Sequence, residues 1–129
     1  MKKSKILFID DELEYLDAIT EYFFMIGHET IKAPNGMEGL CLLQSEKPDI
    51  IFCDYKLPDI DGDEVLIRSK EIVPGVDCVI ITAFRDDKVT ADLISLGARK
   101  VMIKPLLLPQ VKQAVDDILS DRRNKSGDI

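Results

Sequence analysis

Five side chains in this sequence have types and positions suited to joint chemistry: Asp10, Asp11, Asp54, Thr82 and Lys104. Each stands at or just past the end of a short apolar run, so a fold that aligns those runs gathers three carboxylates, a hydroxyl and an ammonium. Clustered carboxylates repel one another, which raises their pKa values or requires a cation. Hard oxygen ligands with open coordination positions suit Mg²⁺, with Mn²⁺ as a substitute. Mg²⁺ takes one or two carboxylates and fills its remaining positions with water or phosphate oxygens. Taken singly, each residue has an ordinary explanation. An Asp-Asp pair after a strand is common turn chemistry near a helix N-terminus, and a lone lysine is a solvated charge. The five together are not explained in that way.

The elements that must position these groups follow from hydrophobic period. Residues 5–9 form a nearly all-apolar run that stops at Asp10. Leu16, Ile19, Phe23 and Ile26 recur at helical spacing before Gly27, a C-terminal helix stop. Residues 29–33 alternate weakly, like an edge strand, and Pro34-Asn35-Gly36 marks a turn. Met37, Leu40 and Leu43 mark a second helix ending before Pro48. Residues 49–54 read as a buried strand and 63–72 as a third helix. Residues 76–82 are a fourth strand, and 87–96 a fourth helix closed by Gly97. Residues 99–103 are a fifth strand, and Pro109 to about Arg122 a fifth helix with Val111, Val115 and Ile118 on one face. Residues 123–129 read as a polar, frayed tail or the start of a linker, leaving residues 1–122 as one domain.

Alternating strands and helices with continuous apolar strands predict an α/β fold, a parallel sheet with helices on both faces. The best-fitting topology is flavodoxin-like and doubly wound, with five strands in the order 2-1-3-4-5 and the polar second run at an edge. Its switch point lies between strands 1 and 3, and ligands bind outside the carboxyl ends there. Asp10, Asp11 and Asp54 occupy that crevice.

Composition narrows the function classes. A 46% apolar and 32% charged chain is neither disordered nor short of core. Its net charge of −7 opposes phosphate-backbone binding, so no direct nucleic-acid contact is expected. No apolar run approaches the roughly 18 residues of a membrane span. Basic Met1-Lys2-Lys3-Ser4-Lys5 is followed only by Ile6-Leu7-Phe8-Ile9 before Asp10, short of the about 7–15 apolar residues of a signal peptide. Cys41, Cys53 and Cys78, odd in number and scattered, suit a reducing compartment. A cytoplasmic location is expected. His28, Cys53 and Cys78 read as packing groups rather than ligands or redox centres.

Rival chemistries fail at particular residues. Asp10-Asp11-Glu12 would repel the phosphate of a flavin cofactor, and no P-loop is present. An Asp-x-Asp phosphatase would need a carboxylate where Lys56 stands. Asp59-Ile60-Asp61-Gly62 would place Leu57 and Arg68 at the first and last ligand positions of a calcium loop.

The strings Ile9-Asp10-Asp11-Glu12, Asp54-Tyr55-Lys56-Leu57-Pro58-Asp59-Ile60-Asp61-Gly62, Ile81-Thr82-Ala83 and Gly97-Ala98 leading to Lys104-Pro105 occur in an order and spacing that resembles the receiver domains of two-component response regulators. The resemblance covers about residues 4 to 121. It implies a phosphorylation-switched signalling domain rather than an enzyme with a separate substrate. Asp54 would accept a phosphoryl group from a sensor histidine kinase or histidine phosphotransfer protein. Asp10, Asp11, Asp54 and the Lys56 backbone carbonyl would hold Mg²⁺, and Thr82 and Lys104 would contact the phosphoryl oxygens. The output would be an unidentified partner protein or a fused domain, and a homodimer through the face of helix 4, strand 5 and helix 5 is a further expectation. The chemistry is consistent, because a carboxylate needs no general base and phosphoryl transfer is mainly positioning and charge neutralisation.

Three departures from the family pattern stand out. Val101 occupies the usual aromatic switch position, so an aromatic rotation is not available. Lys56 and Phe84 occupy positions that tune phosphoryl lifetime, and a bulky Phe84 would shield an acyl phosphate from water. Leu107 replaces the usual cap of the fifth helix within Leu106-Leu107-Leu108. Successive helical positions lie about 100° apart, so at least one of these leucines must face solvent. The Lys104-Pro105 bond is expected to be cis.

Overall fold

The computed structural model describes residues 4–127. Along the chain run β1 (Lys5–Ile9), α1 (Leu13–Met25), β2 (Glu29–Ala33), α2 (Gly36–Glu46), β3 (Ile50–Asp54), α3 (Gly62–Ile72), β4 (Asp77–Thr82), α4 (Asp87–Ser95), β5 (Lys100–Ile103) and α5 (Leu108–Gly127). The strands are parallel and ordered β2-β1-β3-β4-β5, the predicted doubly wound sheet with the polar strand at one edge.

The two-residue period of the strands divides the core into two layers. Ile6, Phe8, Ile50, Phe52, Val79 and Ile81 face Leu16, Ile19 and Phe23 of α1 and Val111, Val115 and Ile118 of α5. Leu7, Ile9, Ile51, Cys53, Cys78 and Ile80 face Leu40 and Leu43 of α2, Val65 and Leu66 of α3, and Leu93 of α4. Both faces of β1, β3 and β4 are covered, which is why these strands are apolar between their ends. Phe8 stands between Phe23 and Phe52 with centroids 5.5 Å from each; such buried aromatics contribute about 2–3 kcal/mol apiece by area.

Cysteine and histidine follow the packing reading. Cys53 and Cys78 are fully buried free thiols, and burial pushes the Cys78 pKa up to about 12. His28 is buried beside Phe23, its Nδ1 3.0 Å from Ser4 Oγ.

Helix ends match local chemistry. Gly27 and Gly97, at φ 106° and 108°, take the left-handed turn that closes α1 and α4. Asn35 accepts from the Glu38 N–H at the start of α2, and Asp86 from Lys88 and Val89 at the start of α4. Lys47 closes α2 in the left-handed region at φ 48°, without glycine. The missing cap of α5 is partly replaced: Gln110 Oε1 accepts the Leu107 N–H at 2.7 Å, half of a capping box.

One sequence-based boundary is corrected. Helix α5 continues past Arg122 to Gly127, so residues 123–127 are not a frayed tail. Arg122 Nε donates to Asp77 Oδ2 at 2.7 Å and its guanidinium reaches the Asp49 and Gly75 carbonyls at 3.0 and 2.6 Å. Arg99 pairs with Asp121 one position earlier. The helix end is thereby tied to the lower rim of the sheet, and the next helix breaker is Gly127. The Met1–Lys3 part of the basic N-terminus and residues 128–129 of the tail lie outside the described residues.

Candidate functional site

The site forms where four strands end together. The ladder continues past the strand tips: the Asp10 N–H donates to Ala33 O at 3.1 Å, Tyr55 N–H to Ile81 O at 2.7 Å, and Lys104 N–H to Thr82 O at 2.8 Å. These bonds fix the backbone that carries each functional side chain. Asp10 is also held by its own turn, Oδ1 accepting the Glu12 N–H at 2.9 Å.

Ligand oxygens of Asp10, Asp11 and Asp54 lie within 4.8 Å of one another, with Asp10 and Asp54 buried and Asp11 exposed. Lys104 Nζ stands 3.1 Å from Asp54 Oδ2, 3.6 Å from Glu12 Oε1 and 3.8 Å from Asp10 Oδ2. Thr82 is buried at the same rim, its Oγ1 accepting the Phe84 N–H at 3.2 Å. All five residues singled out by sequence therefore meet at one end of the sheet. The Lys104-Pro105 bond is cis.

Electrostatics show unbalanced negative charge. Burial raises the Asp54 pKa; the Lys104 hydrogen bond and the Lys56 backbone N–H oppose the shift without cancelling it. Burial likewise raises Asp10, against the Glu12 N–H and the Lys104 charge. For Lys104, burial alone would lower the pKa, but the Asp54 bond and the charges of Asp10, Asp54 and Glu12 raise it. One ammonium thus serves several carboxylates. An oxygen-only set with excess charge fits a hard divalent cation.

The loop between β3 and α3 needs a glycine at its end. A Cβ on Gly62 would meet Tyr55 Cα at 2.9 Å and Asp54 O at 3.1 Å. The Gly62 N–H instead closes the loop on Tyr55 O at 2.7 Å. Asp59, in the string resembling a calcium loop, is not part of the carboxylate cluster and accepts from the first turn of α2.

Three features escaped the sequence reading. Glu12 was part of the acidic string but had no role, yet it reaches Lys104. Tyr15, in the first turn of α1, is half-buried; burial and then the charges of Asp10, Asp54 and Glu12 push its pKa up to about 12. Beside the carboxylates a cleft of about 420 Å³ is lined by Glu12, Tyr15, Ile81, Lys104, Pro105 and Leu106. Of the residues that depart from the family pattern, Val101 is half-buried against the layer facing α4, Phe84 is 66% exposed and Leu107 69% exposed. The expected exposed leucine is thus present.

A doubly wound sheet with carboxylates and a lysine gathered at its switch point places the ligand-binding crevice outside the carboxyl ends of β1 and β3. The chain matches the response regulator receiver domain family over residues 6–116 and belongs to it, which places it in two-component signalling. It is 32% identical over 124 residues to sporulation initiation phosphotransferase F of Bacillus subtilis, covering 96% of this chain and 100% of that protein. It is 30% identical to the probable transcriptional regulator ycf27 of Porphyridium aerugineum, covering 92% of this chain but 49% of that one. Among solved structures, the response regulator receiver domain protein from Clostridium thermocellum superposes with a TM-score of 0.86 at 26% identity, covering 93% of this chain and 97% of that one. The receiver domain protein from Methanospirillum hungatei shares the fold, with a TM-score of 0.91 at 23% identity, covering 97% of this chain and 100% of that one. Among the described residues no helix is long and apolar enough to cross a membrane.

Proposed function

We propose that Asp54 accepts a phosphoryl group from a phosphohistidine on a sensor kinase or phosphotransfer protein, in the cytoplasm, and that the phosphorylated domain presents a changed surface to an output partner. The observation that carries this reading is the 3.1 Å approach of Lys104 to an Asp54 carboxylate that also shares a 4.8 Å cluster with Asp10 and Asp11. An Asp54 carboxylate oxygen attacks phosphorus, the P–N bond to the donor imidazole breaks, and the imidazole leaves with the electron pair. Lys104 shifts from Asp54 to a phosphoryl oxygen, and the Thr82 hydroxyl donates to another. Asp10, Asp11, Asp54 and the Lys56 carbonyl would hold Mg²⁺, or Mn²⁺ in its place. When bound, the cation neutralises the repulsion between the carboxylates and the incoming phosphoryl oxygens. The domain modifies itself and turns over no separate substrate.

The output surface is the face of α4, β5 and α5, where Ile94, Leu96, Leu107 and Leu108 are exposed. Its partner is a second copy of the chain, another protein or a fused domain; the net charge of −7 argues against direct nucleic-acid contact. Half-buried Val101 leaves no aromatic to rotate, so Leu107 and Leu108 take the recognition role on this face. Phe84, whose N–H is held by Thr82 Oγ1, would lengthen the lifetime of an acyl phosphate by excluding water.

Beryllofluoride with Mg²⁺ tests the site. Fluorine NMR should show a bound resonance in wild type that Asp54→Asn eliminates. Retention of that resonance in the variant would overturn the assignment.

A further inference from the structure

The loop that carries Lys56 is fastened at three places. Its base is pinched by the Gly62 N–H on Tyr55 O, at 2.7 Å. Its inner wall is held by buried Leu57. Its tip is held by Asp59, whose Oδ1 accepts the Gly36 N–H at 2.9 Å and whose Oδ2 accepts the Met37 N–H at 2.8 Å. The same Oδ1 also takes the Ile60 N–H at 2.8 Å.

These acceptor bonds answer a need on the α2 side. A helix start leaves its first N–H groups without intrahelical partners. Asn35 serves only Glu38, and Asp59 serves the two donors before it, while a carboxylate there also suits the helix dipole. Ile60 packs where a Cβ on Gly36 would come within 2.4 Å of it. The loop tip and the start of α2 are thus one assembled unit, joined mainly through a single exposed carboxylate.

We propose that Asp59 is a positioning residue for the cation. By anchoring the β3–α3 loop to the first turn of α2, it holds the Lys56 backbone where a carbonyl ligand is required. This inference rests on the cation site proposed above. Without Asp59 the loop keeps its base and inner wall but loses its tip, and ordering it becomes part of the cost of binding the ion. Groups that orient a ligand typically change metal affinity by about 10–100-fold. For a backbone ligand held at a distance, the expected loss is on the order of tenfold.

The test is loss of the free Mn²⁺ electron paramagnetic resonance signal on titration, with Mg²⁺ competition, in wild type, Asp59→Ala, Asp59→Asn, Asn35→Ala and Asp11→Ala. Asn35→Ala removes the other cap of the same helix start without touching the loop, so it reports a merely structural effect. Chemical denaturation should show both α2 variants destabilised, while only Asp59→Ala binds Mn²⁺ about tenfold more weakly. Asp59→Asn loses the charge but keeps an acceptor oxygen and should recover part of the affinity, which separates positioning from long-range attraction. Wild-type affinity in Asp59→Ala, or an equal loss in Asn35→Ala, overturns the proposal. Equal affinities in wild type and Asp11→Ala would instead overturn the underlying cation site. If Asp59→Ala does not fold, Asp59→Asn against Asn35→Ala decides the question.

Discussion

Lys104 Nζ lies 3.1 Å from Asp54 Oδ2 although fifty residues separate them in the chain. That lysine also faces Asp10 and Glu12, so these side chains together carry more negative than positive charge. A folded-state carboxyl pKa raised above its unfolded value means that the folded protein binds more protons. This contribution to stability is lost as pH rises through the ordinary carboxyl range to the raised value. At neutral pH, Asp10→Asn should therefore stabilise the chelator-treated protein. Lys104→Met should destabilise it by about 1–2 kcal/mol, a buried-pair loss reduced by partial exposure. Urea denaturation with chelator checks both signs.

His28 gives the opposite pH response. Burial lowers its pKa, with the Asp116 charge opposing and the Lys112 charge adding to the shift. The unfolded chain therefore takes up a proton first, and stability falls as pH drops through about 6.5 toward the folded value. Comparing denaturation at about pH 7.5 and about 5.5, His28→Gln should lose less stability than wild type on acidification. An identical loss would show that His28 does not titrate in this way.

Lys47 holds a left-handed conformation that glycine adopts without steric cost. Lys47→Gly should stabilise the protein by about 0.5–1 kcal/mol, relief of strain outweighing the added freedom of the unfolded chain. A fall in the thermal midpoint would contradict this.

Leu107 and Leu108, exposed at the start of α5, are the prediction for the output face. Sedimentation before and after beryllofluoride treatment should show a change in association, or in partner binding, that Leu107→Glu or Leu108→Glu weakens. Monomers throughout and unchanged partner binding would leave these leucines as ordinary surface residues.

The topology was legible because β1, β3 and β4 must bury both faces and so are apolar between their ends, whereas β2, with Glu29 and Lys32, signals an edge. The site was legible for a related reason. A functional group placed at a strand's end interrupts an apolar run, and Asp10, Asp54 and Thr82 do so visibly. The end of α5 was less legible, because Asp121 and Arg122 anchor it through partners distant in sequence, Arg99, Asp77 and two carbonyls. The role of Asp59 was hidden for the same reason: its partners, Gly36 and Met37, belong to another helix.

The central claim is that Asp54 is the phosphoacceptor and depends on the neighbouring acidic pair. Intact-mass spectrometry after incubation with acetyl phosphate tests it most directly. The account predicts one added phosphoryl group on wild type with Mg²⁺, little with chelator or in Asp11→Ala, and none in Asp54→Asn. Equal phosphorylation of wild type and Asp54→Asn, or phosphorylation indifferent to Mg²⁺, would contradict it.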